Sequence, residues 1–502
     1  MNYELIAAVD LGSNSFRLQI GRVVGDQIYP LDSLKEPVRL AAGLNASKFL
    51  DGASQLRALE ALRRFSERLR GLAPGAVRAV ATNTLRVARN AAQFLIQAEA
   101  ALGFPIEVVA GREEARLIYV GVAHTLPNPA TQQLVVDIGG GSTEFIIGKS
   151  FESIALESLY MGCVGYSLSY FPRGKLDKRG FKEAEFAARR ELETISRRFH
   201  EVGWEQAVGS SGTAKALLDL IQLSGVSREG ITREGLAWLK ERLIRAGDLA
   251  SLNLPGLRAD RIPVLSGGLA IMIATFDVLA IERMTFSEGA LRLGVLYDLL
   301  GRYHHQDLRD ATVNQFMRRY EVDLAQAQRV CATGLSVLRQ LDPATADRAH
   351  PDAQSLEWAA KLHEVGISVA HAGYHKHSAY ILANADMPGF SRMDQGRLAR
   401  VVLAQRGKLE RVVAIEPDSR DWSLIFCLRL AVLLHRARDN LPIPALFVKR
   451  TNKGFQIMVD AASLSSVPLT AAALAEEEQQ WASVGKELRV KTQRDLGKEA
   501  LA

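Results

Sequence analysis

Two short stretches of this 502-residue chain share a pattern that could grip a phosphate group. Asp10-Leu11-Gly12-Ser13-Asn14-Ser15 and Asp137-Ile138-Gly139-Gly140-Gly141-Ser142 each place an aspartate at the end of an apolar run and follow it with a turn of glycine and small polar residues. Such a turn brings backbone N–H groups close to phosphate oxygens, because no side chain blocks the approach. Asn14, Ser15, Gly139, Gly140, Gly141 and Ser142 are the candidate donors. A carboxylate beside a phosphate cleft suits Mg²⁺, a hard cation that prefers oxygen ligands and keeps several waters, so Asp10 and Asp137 are candidate metal ligands. One glycine-rich hairpin is more often only a tight turn. Two matched copies favour the phosphate reading.

Three further segments carry weaker signals. Gly209-Ser210-Ser211-Gly212-Thr213 opens a helix after a strand and is a third candidate anion nest, equally compatible with an ordinary capped loop. In Thr82-Asn83-Thr84-Leu85-Arg86-Val87-Ala88-Arg89, a helical reading places Arg86 and Arg89 three apart on one face, suited to a row of anions or simply to solvent. Glu113-Glu114 follows Gly111 at a helix start, where acidic residues complement the helix dipole. Adjacent helical residues point about 100° apart, so at most one of the pair faces a cleft.

The elements that must position these residues are legible in outline. Leu5 to Val9 and Phe16 to Val24 read as strands, Ser54 to Leu69 as a helix, and Val77 to Ala81 as a strand. Thr82 to Ala101 is largely helical, Ile106 to Ala110 a strand and Arg112 to Ala123 a helix, an α/β alternation. The opening then recurs: Val9 to Gly21 aligns without a gap on Val136 to Gly148, an offset of 127 residues, which suits duplicated domains rather than a solenoid repeat. These signals divide the chain into α/β domains at 1–125 and 126–303, an all-α domain at 304–442 and a small α+β cap at 443–502. The second domain closes with a strand near Phe286 and a helix from Glu288 to Leu300.

Composition is that of a folded protein, 48% hydrophobic and 24% charged, with a formal charge of +6 that permits an anionic partner without naming one. Three separated cysteines, Cys163, Cys331 and Cys427, fit neither a disulfide framework nor a zinc spacing and predict a reducing, cytoplasmic setting. The N-terminus lacks a basic, apolar leader pattern, and the longest apolar run, near Gly267 to Ala280, is too short to span a bilayer.

The duplicated hairpins resemble the actin-like (ribonuclease H-like) superfamily. Together with Ala81-Thr82-Asn83-Thr84-Leu85-Arg86, Glu113-Glu114-Ala115-Arg116, Gly209-Ser210-Ser211-Gly212-Thr213 and Glu288-Gly289-Ala290-Leu291-Arg292, in that order, they resemble the exopolyphosphatase and guanosine pentaphosphate phosphohydrolase family over roughly residues 5 to 300. The helical remainder resembles the long bacterial form of the family, and the helical domain resembles the His-Asp phosphohydrolase fold, whose metal site requires an adjacent His-Asp pair. The resemblance implies that Glu114 is the base toward the attacking water and that Asp137 and Glu144 hold the metal. It implies that Asn14 and the Gly139–Ser142 turn cradle phosphate and that Arg86 contacts the terminal phosphate. Arg17 stands at the repeat position equivalent to Glu144, so one hairpin offers a cation where the other offers a carboxylate.

The expected activity is therefore Mg²⁺-dependent, processive hydrolysis of the terminal phosphoanhydride of inorganic polyphosphate. Guanosine pentaphosphate is the alternative substrate, and an actin-like-fold kinase or ATPase is a more distant alternative. Another divalent cation, K⁺ as an auxiliary ion, a homodimer and peripheral association with the inner face of the cell membrane remain open; no nucleic-acid partner is expected. In the helical domain the metal-binding His-Asp pair is replaced by His363-Glu364, with His371, His375 and His377 nearby. The longer glutamate would misplace the ligand oxygen, which points to a relic without metal.

Overall fold

The computed structural model describes residues 3–25, 27–126, 130–252, 254–303, 307–347, 350–413, 415–416 and 418–493. It divides into two compact units, Met1–Asp307 and Leu308–Ala502.

The first unit is built on two sheets of one design. β1 (Leu5–Leu11) and β6 (Gln133–Ile138) are almost wholly apolar and buried, as expected for central strands covered on both faces. Around β1 run β2 (Phe16–Val24), β3 (Gln27–Glu36), β4 (Val77–Ala81) and β5 (Ile106–Val108), in the order β3-β2-β1-β4-β5. Around β6 run β7 (Thr143–Lys149), β8 (Glu152–Leu159), β9 (Gln206–Ser210), β10 (Ile231–Thr232) and β11 (Arg283–Phe286), in the order β8-β7-β6-β9-β11-β10. In each sheet the first three strands form an antiparallel meander, and the next two return parallel to the central strand. The hairpin repeat read from the sequence is thus a repeat of a whole sheet topology.

Helices cover both sheets. Leu59, Leu62 and Phe65 of Gly52–Leu69 and Phe94 of Ala91–Leu102 fill the first core; Lys178–Val202, Ser211–Leu223 and Leu265–Val278 fill the second. The helices Gly111–Ala123 and Leu291–Tyr303 share a further core with residues of β1, β4, β6, β7 and β9. They cross so closely that a Cβ on Gly294 would lie 1.7 Å from the Leu117 carbonyl oxygen, so only glycine fits there. Asp298 on one of these helices pairs with Arg116 on the other at 2.5 Å and with Arg78 of β4 at 2.6 Å. The two halves are therefore joined by buried charge as well as apolar contact.

The segment read as largely helical from Thr82 to Ala101 forms two helices, Asn83–Val87 and Ala91–Leu102. The break is held by Asn90, whose amide exchanges two hydrogen bonds with the backbone of Leu50.

The second unit is helical from Leu308 to Leu434, and its sheet of β12 (Leu446–Thr451), β13 (Gly454–Asp460) and β14 (Glu487–Gln493) packs into the same core. Phe455 of β13 stacks on Phe426 at 4.2 Å, and Trp481 meets both rings edge-on. The buried ion pair Arg429–Glu477 ties the terminal segment to the helices. No helix among the described residues is long and apolar enough to cross a membrane.

Candidate active site

The register of the strands explains the site. Residues directly opposite in paired strands point to the same face. In the first sheet Asp10 of β1 opposes Arg17 of β2, which opposes Lys35 of β3. In the second sheet Asp137 opposes Glu144 on one side and Ser210 on the other, and Glu144 opposes Ser158. One row is an acid followed by two bases. The other is two acids flanked by hydroxyls, and those hydroxyls donate to them: Ser210 Oγ to Asp137 Oδ2 at 2.5 Å and Ser158 Oγ to Glu144 Oε1 at 2.8 Å.

The two hairpins meet tip to tip. A Cβ on Gly140 would lie 3.0 Å from the Asn14 nitrogen and one on Gly141 3.1 Å from Ser13 Oγ, so the tips are in close contact; Gly141 is tighter still against Asn83 at the start of the Asn83–Val87 helix, where a Cβ would lie 2.4 Å from Oδ1. Between them opens a cleft lined by Asp10, Asn14, Ser15, Arg17, Glu114, Asp137, Gly139, Gly140, Gly141, Ser142, Glu144, Ser211 and Gly212, all of them candidates from the sequence. Ser211 holds a left-handed backbone conformation (φ 69°), uncommon for a residue with a side chain. Ser210 stands behind Asp137, while Gly209 is buried in β9 and does not reach the cleft.

Glu114 and Glu113 part as the helix geometry predicts. Glu114 faces the cleft and accepts a hydrogen bond from Arg86 Nη1 at 3.0 Å; Arg86 Nη1 also donates to the Val109 carbonyl at 2.9 Å. Arg86 thus sits behind Glu114 rather than in the cavity wall. Glu113 turns to Arg116, whose Nε and Nη2 donate to it at 2.9 and 2.8 Å. Arg89 lies beyond the end of its helix, is exposed, and takes no part in the cleft.

Among the wall residues that sequence reading did not propose are Arg261, Arg292 and Cys163. Arg292 ends the Glu288–Arg292 motif and could have been proposed from it. Arg261 belongs to a segment without periodicity and carries no local signal. Arg17, Arg261 and Arg292 make no salt bridge among the described residues, so the cavity presents three cations to an incoming anion.

Four carboxylates share the cleft with them. Burial pushes the Asp10 carboxyl up to about 6, against the lowering effect of Arg292 and Arg17. Burial pushes Glu114 up to about 7, opposed by Arg86 and reinforced by Asp10 and Asp137. Burial also raises Asp137, and raises Glu144 well above the carboxylate range, with Glu114 and Asp137 adding to the effect on Glu144. Asp10 Oδ1 is buried without a hydrogen-bond partner. An unsatisfied buried oxygen amid mutually repelling carboxylates fits a cation. Among the described residues no three His, Cys, Asp or Glu side chains form a ready-made metal cage. Mg²⁺ commonly takes only one or two carboxylates and completes its shell with water and substrate phosphates.

In the second unit, His363 is fully buried with Nδ1 2.6 Å from the Ala360 carbonyl oxygen, and Glu364 is paired with Arg438. A guanidinium therefore occupies one oxygen of the carboxylate that would have had to replace the aspartate of a His-Asp site.

Two duplicated α/β lobes with aspartate-glycine hairpins meeting over an acid- and arginine-lined cleft define an actin-like phosphate-handling fold. Within that class, residues 19–303 match the Ppx/GppA phosphatase family and residues 308–478 match Ppx/GppA phosphatase, domain III. The chain belongs to the Ppx/GppA phosphatase family. Among solved structures it is similar to an exopolyphosphatase from Cytophaga hutchinsonii, with 24% identity and a TM-score of 0.54 over 59% of this chain and 97% of that one. It is similar also to an exopolyphosphatase-like protein, with 24% identity and a TM-score of 0.53 over 60% of this chain and 99% of that one. These likenesses concern the fold.

Proposed function

We propose that this phosphatase hydrolyses the terminal phosphoanhydride of inorganic polyphosphate and releases orthophosphate from the chain end. The observation that carries the reading is the placement of Glu114, a buried carboxylate in the wall of the cleft that the glycine hairpins and three arginines also line; burial raises its pKa to about 7. A general base is most effective when its pKa lies near the working pH.

In this reading the terminal phosphate rests against the Gly139–Ser142 turn and the Asn14 turn, whose N–H groups and hydroxyls take its oxygens. Arg86 holds the Glu114 carboxylate in place. A water between Glu114 and the terminal phosphorus loses its proton to Glu114 as its oxygen bonds to phosphorus. The bond from that phosphorus to the bridging oxygen breaks, and the shortened chain keeps the bridging oxygen with its negative charge. Arg17, Arg261 and Arg292 stabilise that charge, which is where a phosphoryl-transfer site contributes most. Asp10, Asp137 and Glu144 would hold Mg²⁺, one or two of them directly and the others through its waters, and the ion would neutralise charge on the phosphoryl oxygens.

A second substrate, guanosine pentaphosphate, is favoured by one feature. The cleft continues into an outer cavity whose wall includes Phe286, a ring on which a nucleobase could stack. Orthophosphate release from long polyphosphate and from guanosine pentaphosphate, each with and without Mg²⁺, tests the proposal. Release from neither substrate overturns it, and release from the nucleotide alone transfers the assignment to the second reading.

A further inference from the structure

The row Asp10, Arg17, Lys35 runs outward across the first sheet, two strand spacings or about 10 Å. Arg17 lines both the inner cavity and the outer one; Lys35 lines only the outer. Lys35 does not end in solvent. Its Nζ reaches across to the second half of the unit and pairs with Asp260 Oδ2 at 2.5 Å, with both side chains about a quarter exposed, 27% and 26%. Asp260 has a second partner, because Arg258 Nε donates to its other oxygen at 3.0 Å. Asp260 itself lines neither cavity. The pair therefore spans the two halves beside the passage between the cavities, and its lysine is the member that lines a cavity.

We infer that Lys35 is a chain-length-determining residue: it is clasped to Asp260 when the cleft is empty and exchanges that carboxylate for a phosphate of any substrate long enough to reach the outer cavity. The inference rests on the reading that the inner cavity takes the terminal phosphate. The exchange is physically easy. A part-exposed ion pair is weak, so a polyanion already held by Arg17 and Arg261 competes with it on favourable terms. Asp260 is not stranded by the loss of Lys35, because Arg258 still holds it. A short substrate confined to the inner cavity never meets the lysine and leaves the clasp closed.

The test is calorimetric titration of the full-length chain carrying Glu114→Gln with inorganic tripolyphosphate and with pyrophosphate. Orthophosphate release by the unmutated chain is measured separately and decides the hydrolytic reading alone. Asp260→Asn is expected to tighten tripolyphosphate binding by about threefold to tenfold, and Lys35→Met to weaken it by about tenfold. The double variant is expected to match Lys35→Met, because the gain from removing Asp260 acts through Lys35. Pyrophosphate binding should stay within about twofold in all three. Single variants that shift binding in the same direction or not at all would reduce the pair to a structural tie. Additive effects in the double variant would mean only through-space charge, and equal effects on pyrophosphate would remove the dependence on length; any of these results overturns the inference.

Discussion

Glu114 and Arg86 form a buried ion pair at 3.0 Å, with the carboxylate in the cleft wall and the guanidinium behind it. The neighbouring Glu113 is buried as well, yet its partner is Arg116 on its own helix, within the charge network that joins the two crossing helices. On the proposed mechanism, two adjacent acids thus serve different ends, one facing chemistry and one holding the scaffold.

Replacing them should separate those ends. Glu114→Gln is expected to lower kcat by about 10²- to 10⁴-fold while polyphosphate still binds, the loss typical of a missing general base. Glu113→Gln is expected instead to cost about 1–3 kcal/mol of stability by weakening a buried charged contact, with much smaller change in kcat below the unfolding range. Kinetics and thermal melts on the two variants check this, and equal losses of kcat would remove the role given to Glu114.

Activity and stability should respond to pH in opposite directions. Glu114 must be ionised to take a proton, so kcat/KM is expected to climb as pH rises toward about 7 and then level. The folded-state pKa lies above the ordinary 4.5, so folding binds this proton more tightly than the open chain does. That contribution to stability is complete below the ordinary value and is lost as pH rises through about 7. Asp10, raised from 3.8 to about 6, has the same sign. The Tm of the metal-free protein should therefore fall between about pH 5 and pH 7.5, less steeply in Glu114→Gln. A Tm that is flat or rising over that range contradicts the buried-carboxylate account.

The metal assignment makes a contrast between the two units. Asp137→Ala, Glu144→Ala and Asp10→Ala should each abolish the Mg²⁺-dependent part of turnover, and chelation of the unmutated chain should reproduce that loss. His363→Ala should destabilise the second unit by about 1–3 kcal/mol, because it empties a fully buried site, while the Mg²⁺ titration of activity stays unchanged. Metal content measured after dialysis provides the second readout. A metal that leaves together with His363 would restore a working site to the helical domain.

Much of this site could be read from the chain because it is built on local turns. The gapless alignment that set Arg17 against Glu144 is a consequence of register: both oppose a strand-end aspartate, Asp10 and Asp137. What escaped depends on long-range contact. Arg261 reaches the cleft from a segment with no period to announce it. Arg89 was placed on one face with Arg86 by helical spacing, but that helix ends at Val87, and the Arg89 N–H donates instead to the Lys48 carbonyl at 2.8 Å. β3 and β8 are mixed in polarity because each is the outer strand of its meander, so no clean alternation marked them. The terminal segment from 443 looked independent by composition, whereas Phe455 and Trp481 share the core of the preceding helices.

The second unit should decide how long a polymer stays on the enzyme. Every residue of the cleft precedes Asp307, where the first compact unit ends, and that unit has hydrophobic cores of its own. A chain ending there is therefore expected to fold and to keep turnover on short polyphosphates. On the proposed function, domain III and the residues after it are free for another task, and the one that fits a polymeric substrate is retention. A polyanion held by lysines and arginines is bound largely through counterion release, so its affinity falls more steeply with salt as more phosphates are contacted. Removing Leu308 onward should make the salt dependence of KM on long chains shallower and should turn processive shortening into distributive shortening. Product-length gels separate the two: the full chain should leave untouched polymer beside orthophosphate, and the shortened one a ladder of intermediate lengths. If the shortened enzyme is folded and still runs each polymer to its end before starting another, the second unit serves stability or assembly, and retention belongs to the first unit alone.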